Sequence, residues 1–270
     1  MWGENVSIWE LTGYTRRRIR GRRAELLLAC LPPLAGCLLF RLGEAAAFSL
    51  LLYFGAMKPI ELFGGFAGQF IIAAVLALLR WTVTAPLICA AAVKLRSIVT
   101  DEAEEPSVSK LLLSGGFRRR SIAAYAAGRL ICFVVLIPAA LLGAYAFTLV
   151  SDGGGSRELF AAWDALILAA VSVVLWLAAR LSTMAVPFLL AEYPERGALS
   201  CAFMSIGFMR GRKRLPLALA AVYALPMATV AGLPVFLPEL AAAYAAGISI
   251  FIKEDEYARS AVRRELGRTG

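Results

Sequence analysis

The sequence contains no histidine among its 270 residues. Histidine is the side chain that most often acts as a general base near neutral pH and as a metal ligand, so its absence removes the usual catalytic and zinc sites. The five cysteines form no CxxC pair, and the chain has neither a Walker-type glycine loop nor a GxSxG motif. These absences predict a protein that is not an enzyme and that uses no metal and no cofactor.

Long polar segments are scarce as well. Apolar residues make up 60% of the chain, and the mean hydropathy is +0.73. A helix needs about 20 apolar residues to cross roughly 30 Å of hydrocarbon, and the alternation typical of transmembrane strands is absent. We therefore expect an all-α, polytopic transmembrane helical bundle of about six spans, near residues 24–42, 64–84, 122–148, 160–181, 216–232 and 237–253.

One apolar run does not fit this scheme directly. Residues 45–57 are too few for a regular span. The run either extends the first helix, lies at the outer interface, or crosses the membrane and changes the parity of the spans.

The basic residues lie beside the apolar runs. The net charge is +9, and most cations fall in four breaks, which the positive-inside rule places in the cytoplasm. The chain then divides into a cytoplasmic basic segment at 1–23, a transmembrane domain at 24–253 and a cytoplasmic charged tail at 254–270. Both termini are expected on the cytoplasmic side of a bacterial plasma membrane. The cations would meet anionic lipid headgroups, so nucleic acid is not an expected partner.

The two central cytoplasmic segments resemble each other. Each has a proline after an apolar run, then a charged stretch, then a Gly-Phe pair followed by arginines. Pro86 aligns with Pro187, and Gly116-Phe117 aligns with Gly207-Phe208. This similarity predicts a parallel internal repeat with units at about 64–150 and 160–253. Chance similarity between two arginine-flanked helices is the alternative.

A candidate amphipathic helix lies in the second of these segments. Leu199, Phe203, Ile206 and Met209 recur at helical spacing, and cations follow them. Such a helix either lies in the inner membrane interface or is an ordinary buried connector.

The second half of the chain resembles a bacterial membrane protein family called domain of unknown function 975. The resemblance rests on Pro187–Glu195, on Ser200, on Met209–Lys213 and on the small and aromatic residues of Ala241–Phe251. It covers about residues 180–253 and departs in the penultimate apolar run, which is alanine-rich here. The resemblance implies a six-helix membrane protein with cytoplasmic termini, and it supplies no catalytic residues.

Four arginines interrupt the apolar runs: Arg41, Arg80, Arg129 and Arg180. A charge at the bilayer centre costs roughly 2.5 kcal/mol or more, so each of them requires a partner or an interfacial position. Arg41 has a partner at i,i+3 in Glu44. Arg80, Arg129 and Arg180 have no acid within one helical turn. They are either interfacial anchors or candidate contacts for the phosphate of an anionic lipid at the inner leaflet.

Two acids in the apolar runs, Asp164 and Glu239, lie near the outer ends of their runs. A proton or ion relay requires acids deeper and in series, so both are expected to be boundary residues.

These observations favour a non-enzymatic membrane scaffold or accessory protein that contacts anionic lipid or a protein partner, including a second copy of itself. The alternative is a small transporter or channel subunit, and a lipid-modifying enzyme is least favoured. A transport function would require a polar path, for which the candidate residues are Arg80, Arg180, Thr82, Thr84, Ser182 and Thr183.

Overall fold

The computed structural model describes residues 7–53, 67–101, 107–151, 156–227 and 233–266. Within these ranges the regular structure is entirely helical, which confirms the all-α prediction. The described helices are α1 (Ile8–Arg18), α2 (Arg23–Tyr53), α3 (Ala67–Thr100), α4 (Val108–Leu113), α5 (Gly115–Ser151), α6 (Ser156–Ser182), α7 (Val186–Glu192), α8 (Ala198–Phe208), α9 (Arg214–Met227) and α10 (Leu233–Leu266).

Five helical segments are long and apolar enough to cross a membrane. They are Arg23–Ala47, Val75–Thr100, Gly115–Gly143, Phe160–Glu192 and Phe236–Tyr257. The predicted span at 216–232 corresponds in part to α9, whose 14 residues are short for a crossing, and its last five residues lie outside the described ranges. The chain is therefore a multi-spanning helical protein, and the sixth span is not confirmed.

The first long helix includes most of the short apolar run at 45–57. Helix α2 continues without interruption to Tyr53, so residues 45–53 extend the first helix. Residues 54–57 lie outside the described part of the chain.

Two compact units make up the chain. Unit 1 contains Met1–Ile122 and Leu217–Gly270, and unit 2 contains Ala123–Pro216. These boundaries differ from those of the predicted repeat, because unit 2 takes residues from both proposed copies.

The motifs aligned in the repeat also adopt different local structures. Gly116-Phe117 begins helix α5, whereas Gly207-Phe208 ends helix α8. Pro86 lies inside the continuous helix α3, whereas Pro187 lies at the start of the short helix α7. A turn over residues 183–185 separates α6 from α7, and α3 has no such interruption. The internal repeat is therefore not confirmed.

Small side chains form the core of unit 1, where α2, α3 and α10 pack together. Alanines fill much of this interface, because a small side chain lets two helix backbones approach closely where lipid provides no hydrophobic driving force. The fully buried members include Ala85, Ala90, Ala242, Ala243, Ala245 and Ala246.

The opposite faces of the long helices are apolar and exposed. Such surfaces exceed what soluble monomers tolerate and are typical of lipid contact. Large exposed side chains on α2, α5 and α6 include Leu38, Leu39, Leu42, Phe133, Val134, Ile137, Phe160, Trp163, Ile167 and Val174.

Ion pairs hold the beginning of α2 against the end of α3. Asp101 follows α3 in a left-handed conformation with φ 58°. Its carboxylate lies 3.0 Å from Arg18 Nη1 and 3.8 Å from Arg22 Nη1. The pKa of Arg18 is raised above its ordinary value, because Tyr14 and then Asp101 favour the charged guanidinium. These ion pairs show that the end of α1, the beginning of α2 and the end of α3 lie together at one end of unit 1.

Glu239 lies at the same end of unit 1. Its carboxylate, only 7% exposed, is 3.3 Å from Arg16 Nε and 3.4 Å from Arg23 Nη2. The buried ring of Tyr223 is next to this group. The predictions that Glu239 lies at the outer end of its run and that the N-terminal arginines lie on the inner side are therefore not compatible with each other in this structure. The Glu239 carboxylate is neutralised by two arginines, Arg16 of α1 and Arg23, the first residue of α2.

Unit 2 contains a helical layer formed by α6, α7 and α8. The Ser205 hydroxyl of α8 donates a 2.6 Å hydrogen bond to the carbonyl of Ser182 at the end of α6. The segment predicted to be amphipathic is helical in α8, with Leu199 and Phe203 exposed and Met209 buried. Its apolar residues therefore divide between a packed face and an exposed face.

Packing in unit 1 can be tested with Ala90→Leu. The larger side chain has no space between α3 and its neighbours, and overpacking costs about 1–3 kcal/mol. We expect a lower midpoint of thermal denaturation in detergent. The matched control is Ala46→Leu, at an exposed position of α2, which should leave the midpoint unchanged. Equal midpoints for the two variants would contradict the packing described.

The contacts of Glu239 can be tested with Glu239→Gln. The substitution removes the negative charge that faces Arg16 and Arg23. Because hydrogen bonds to charged groups contribute about 1.5–3 kcal/mol, the attachment of α1 should be weaker. Helix α1 should then open more often, with amide hydrogen exchange over residues 8–18 at least tenfold faster. Glu195→Gln, at an exposed position, is the control and should not change the exchange. Unchanged exchange in both variants would show that this carboxylate does not retain α1.

Candidate anion-binding site

The three arginines predicted to contact anionic lipid, Arg80, Arg129 and Arg180, do not have the same environment. Arg80 belongs to unit 1, and its Nη1 lies 2.7 and 2.6 Å from the two carboxylate oxygens of Glu44. Arg41 Nη1 also contacts Glu44, at 3.1 Å, which confirms the predicted i,i+3 pair. Glu44 therefore contacts both arginines and balances the charge of one, while Arg41 is largely exposed.

The expectation that Arg80 has no carboxylate partner is therefore wrong. Its partner comes from another helix, so local sequence spacing could not show it. Helix α3 also continues through Pro86 to Thr100, so about 20 residues, or roughly 30 Å, separate Arg80 from the helix end beside Asp101. Arg80 is therefore distant from that end of unit 1, and its guanidinium already contacts the carboxylate of Glu44.

Arg129 lies on α5 in unit 2 and interacts with Tyr125, one helical turn earlier. Its guanidinium carbon is 4.8 Å from the centre of the Tyr125 ring, and Nη2 donates a hydrogen bond to the Tyr125 hydroxyl. Its Nε is buried and has no hydrogen-bond partner within the described structure. One donor of Arg129 is thus unused.

Arg180 lies near the end of α6 and approaches the same group. It is within Coulombic range of Arg129 and next to Tyr125 and Cys132. The adjoining turn contacts α5 directly, since a Cβ added to Gly128 would lie 3.4 Å from Thr183 Cβ, and Cys132 Sγ is 3.6 Å from Thr183 Oγ1. This contact between α5 and the turn after α6 is consistent with the electrostatic interaction between the two guanidiniums.

No carboxylate in the described part of the chain balances the charge of this pair. Among the residues that the structure describes, no carboxylate forms an ion pair with Arg129 or Arg180. Both side chains are partly buried. Two like charges in a partly desolvated position are unfavourable unless an anion neutralises them.

Helix lengths bear on the depth of the pair within unit 2. About 22 residues of α5 follow Arg129, and about 24 residues of α6 precede Arg180, which corresponds to roughly 33–36 Å in each case. The hydrocarbon core is about 30 Å thick. The segments after Arg129 and before Arg180 are each long enough to cross the hydrocarbon, which is compatible with a position of both arginines at one of its boundaries.

The hydroxyl groups considered for a polar path are used within their own helices. Thr82, Thr84, Ser182 and Thr183 donate to the carbonyls of Leu79, Arg80, Ala178 and Arg180, respectively. The first two belong to unit 1 and the others to unit 2. Neither unit by itself assembles the predicted set into a path.

Sequence reasoning missed two components of this site. Tyr125 is four residues before Arg129, and i,i+4 spacing places the two side chains on the same face of a helix, so this pair was detectable. Gly128 gave no comparable signal, because its importance depends on which residue of another helix it contacts.

Comparison with known proteins gives no further assignment: no family model, no curated protein and no solved structure matches the chain.

Proposed function

We propose that this protein is a non-enzymatic accessory or scaffold protein of the bacterial plasma membrane that binds an anionic lipid between Arg129 and Arg180. The observation that supports this function is the pair of neighbouring guanidiniums with no carboxylate partner in the described structure. Guanidinium groups bind phosphate through two parallel hydrogen bonds, so such a pair is suited to a lipid headgroup.

The surrounding sequence supports the same location. Cations cluster in the segments that flank the apolar helices, and anionic headgroups attract such segments. Leu199 and Phe203 form an exposed apolar face on α8, and four cations follow between Arg210 and Arg214. We propose that α8 lies in the inner interface with these cations at the headgroups.

The resemblance to domain of unknown function 975 fits a membrane protein without catalytic machinery. We retain it as a proposal, together with a protein partner or a second copy of the chain as further binding partners. The transporter alternative is not favoured, because the hydroxyl groups named for a polar path bond to their own helices.

For the topology, we propose six crossings with both termini in the cytoplasm. Support comes from the cation distribution, since five cations lie between Lys253 and Arg268. Six crossings require α9 and the residues after it to form the additional span.

A specific contact favours a second arrangement. Glu239 pairs with Arg16 and Arg23, which places the start of α10 beside the start of α2, whereas six crossings would place these two helix starts on opposite sides of the membrane. If α9 does not cross, the protein has five spans and its C-terminal tail lies outside.

A fluorescent reporter that matures only in the cytoplasm, fused to the C-terminus, distinguishes the two topologies. Six crossings predict fluorescence, and five predict a dark fusion whose tail is accessible to external protease. The N-terminal fusion is the control and should fluoresce in both cases. A dark C-terminal fusion would overturn the proposal that both termini are cytoplasmic.

Lipid binding can be tested by native mass spectrometry of the protein extracted with its own membrane lipids. The double variant Arg129→Gln/Arg180→Gln should retain anionic lipid at least tenfold less than the unmodified protein, because it loses two charge-assisted contacts. Arg41→Gln is the matched control, since Arg41 is also an arginine in an apolar run but is paired with Glu44.

A stability measurement separates binding from a structural role. Removing one of two adjacent like charges should leave the thermal midpoint of the lipid-free protein unchanged or higher, so Arg180→Gln should fold normally. Unchanged lipid retention in the double variant, with normal folding, would contradict the proposed function.

A further inference from the structure

The donors around the Arg129–Arg180 pair define what kind of anion it can hold. Arg129 Nε is buried and unpartnered, and its Nη2 is bonded to Tyr125. Arginine can only donate, so the Tyr125 hydroxyl acts as an acceptor toward Arg129 and its own proton stays available to a ligand oxygen. The guanidinium of Arg180 adds further N–H donors from the second helix.

The site therefore presents donors from three side chains on two helices. A phosphate diester has two unesterified oxygens, whereas a phosphate monoester has three. A monoester therefore offers one more unesterified oxygen to these donors than a diester does, and each such oxygen accepts charge-assisted hydrogen bonds.

The charge leads to the same conclusion. The pair carries two positive charges, and none of the described carboxylates contacts it. A diester supplies one negative charge and leaves one guanidinium uncompensated. A phosphate monoester carries about −1.5 to −2 at pH 7, as a phosphorylated side chain does, and can neutralise both.

We propose that the Arg129–Arg180–Tyr125 site selects a terminal phosphate monoester in its dianionic form over a phosphodiester. This inference rests on the proposed function and specifies the chemical class of its ligand. The monoester belongs either to a lipid headgroup or to a soluble phosphate compound, and the two sources share the chemistry that the site recognises.

The test compares two lipids with identical acyl chains, phosphatidic acid as the monoester and phosphatidylglycerol as the diester. The full-length protein is delipidated in detergent and titrated with each lipid at pH 7.5 and pH 5.0, and binding is followed by native mass spectrometry and thermal shift. Glycerol 3-phosphate and inorganic phosphate are titrated in parallel as soluble probes.

The expected result is about tenfold tighter binding of phosphatidic acid than of phosphatidylglycerol at pH 7.5, because the monoester makes additional charge-assisted contacts. The second ionisation of a phosphate monoester occurs near pH 6, so the preference should disappear at pH 5.0. The titratable groups at the site are Arg129, Arg180, Tyr125 and Cys132, and none of them is a carboxyl group or a histidine. We therefore expect the ligand, and not the protein, to carry the pH dependence.

Substitutions of Tyr125, Arg129 and Arg180 test whether these side chains produce the selectivity. Tyr125→Phe removes one donor without changing the charge, and it should lower the affinity for phosphatidic acid several-fold while affecting phosphatidylglycerol less. Arg129→Gln/Arg180→Gln should abolish the preference. Arg41→Gln should leave it intact.

The outcomes separate this inference from the proposed function. Equal binding of both lipids, lost in the double arginine variant, would overturn monoester selectivity and leave the lipid site in place. Binding of neither lipid would overturn both. Binding of glycerol 3-phosphate without phosphatidic acid would uphold the selectivity for a monoester and overturn the lipid as its source.

Discussion

An arginine side chain within an apolar helix must find a negative charge, and this requirement organises the structure. A guanidinium keeps its charge at any physiological pH, so neutralisation by proton loss is not available to it. In unit 1 the requirement is met internally. Glu44 binds Arg41 and Arg80, and Glu239 binds Arg16 and Arg23. In unit 2 the described residues leave Arg129 and Arg180 without a carboxylate. This difference is the basis for the proposal that an external anion binds at Arg129 and Arg180.

The packing of the helices follows from the same environment. Helices in lipid gain little from hiding apolar surface from one another, so close contact between small side chains becomes important. Alanines of α3 and α10 provide this contact in unit 1. In unit 2, Gly128 brings α5 against Thr183, and this contact is consistent with the electrostatic interaction between the two arginines. The site thus lies beside a close contact between α5 and the turn after α6.

Local patterns in the sequence predicted local features well. The i,i+3 pair of Arg41 and Glu44 is present, and the long apolar runs are helices. Predictions that depended on which helices are neighbours were less successful. Arg80 was expected to lack a partner, yet Glu44 is 36 positions away in the chain and binds it. Pro86, which the proposed repeat aligns with Pro187, lies inside the continuous helix α3, because membrane helices tolerate proline. The motifs aligned as a repeat have different local structures at Gly116 and Gly207.

The sequence by itself determined the class of the protein, because the apolar content and the length of each run leave few folds except a helical membrane protein. It also identified Arg129 and Arg180 as residues that need an explanation, since the energetic cost of a charge in hydrocarbon is independent of the fold. Tertiary structure decided which arginines are already neutralised and which two are adjacent. Those facts depend on contacts between residues far apart in the chain, and such contacts are set by helix packing rather than by periodicity.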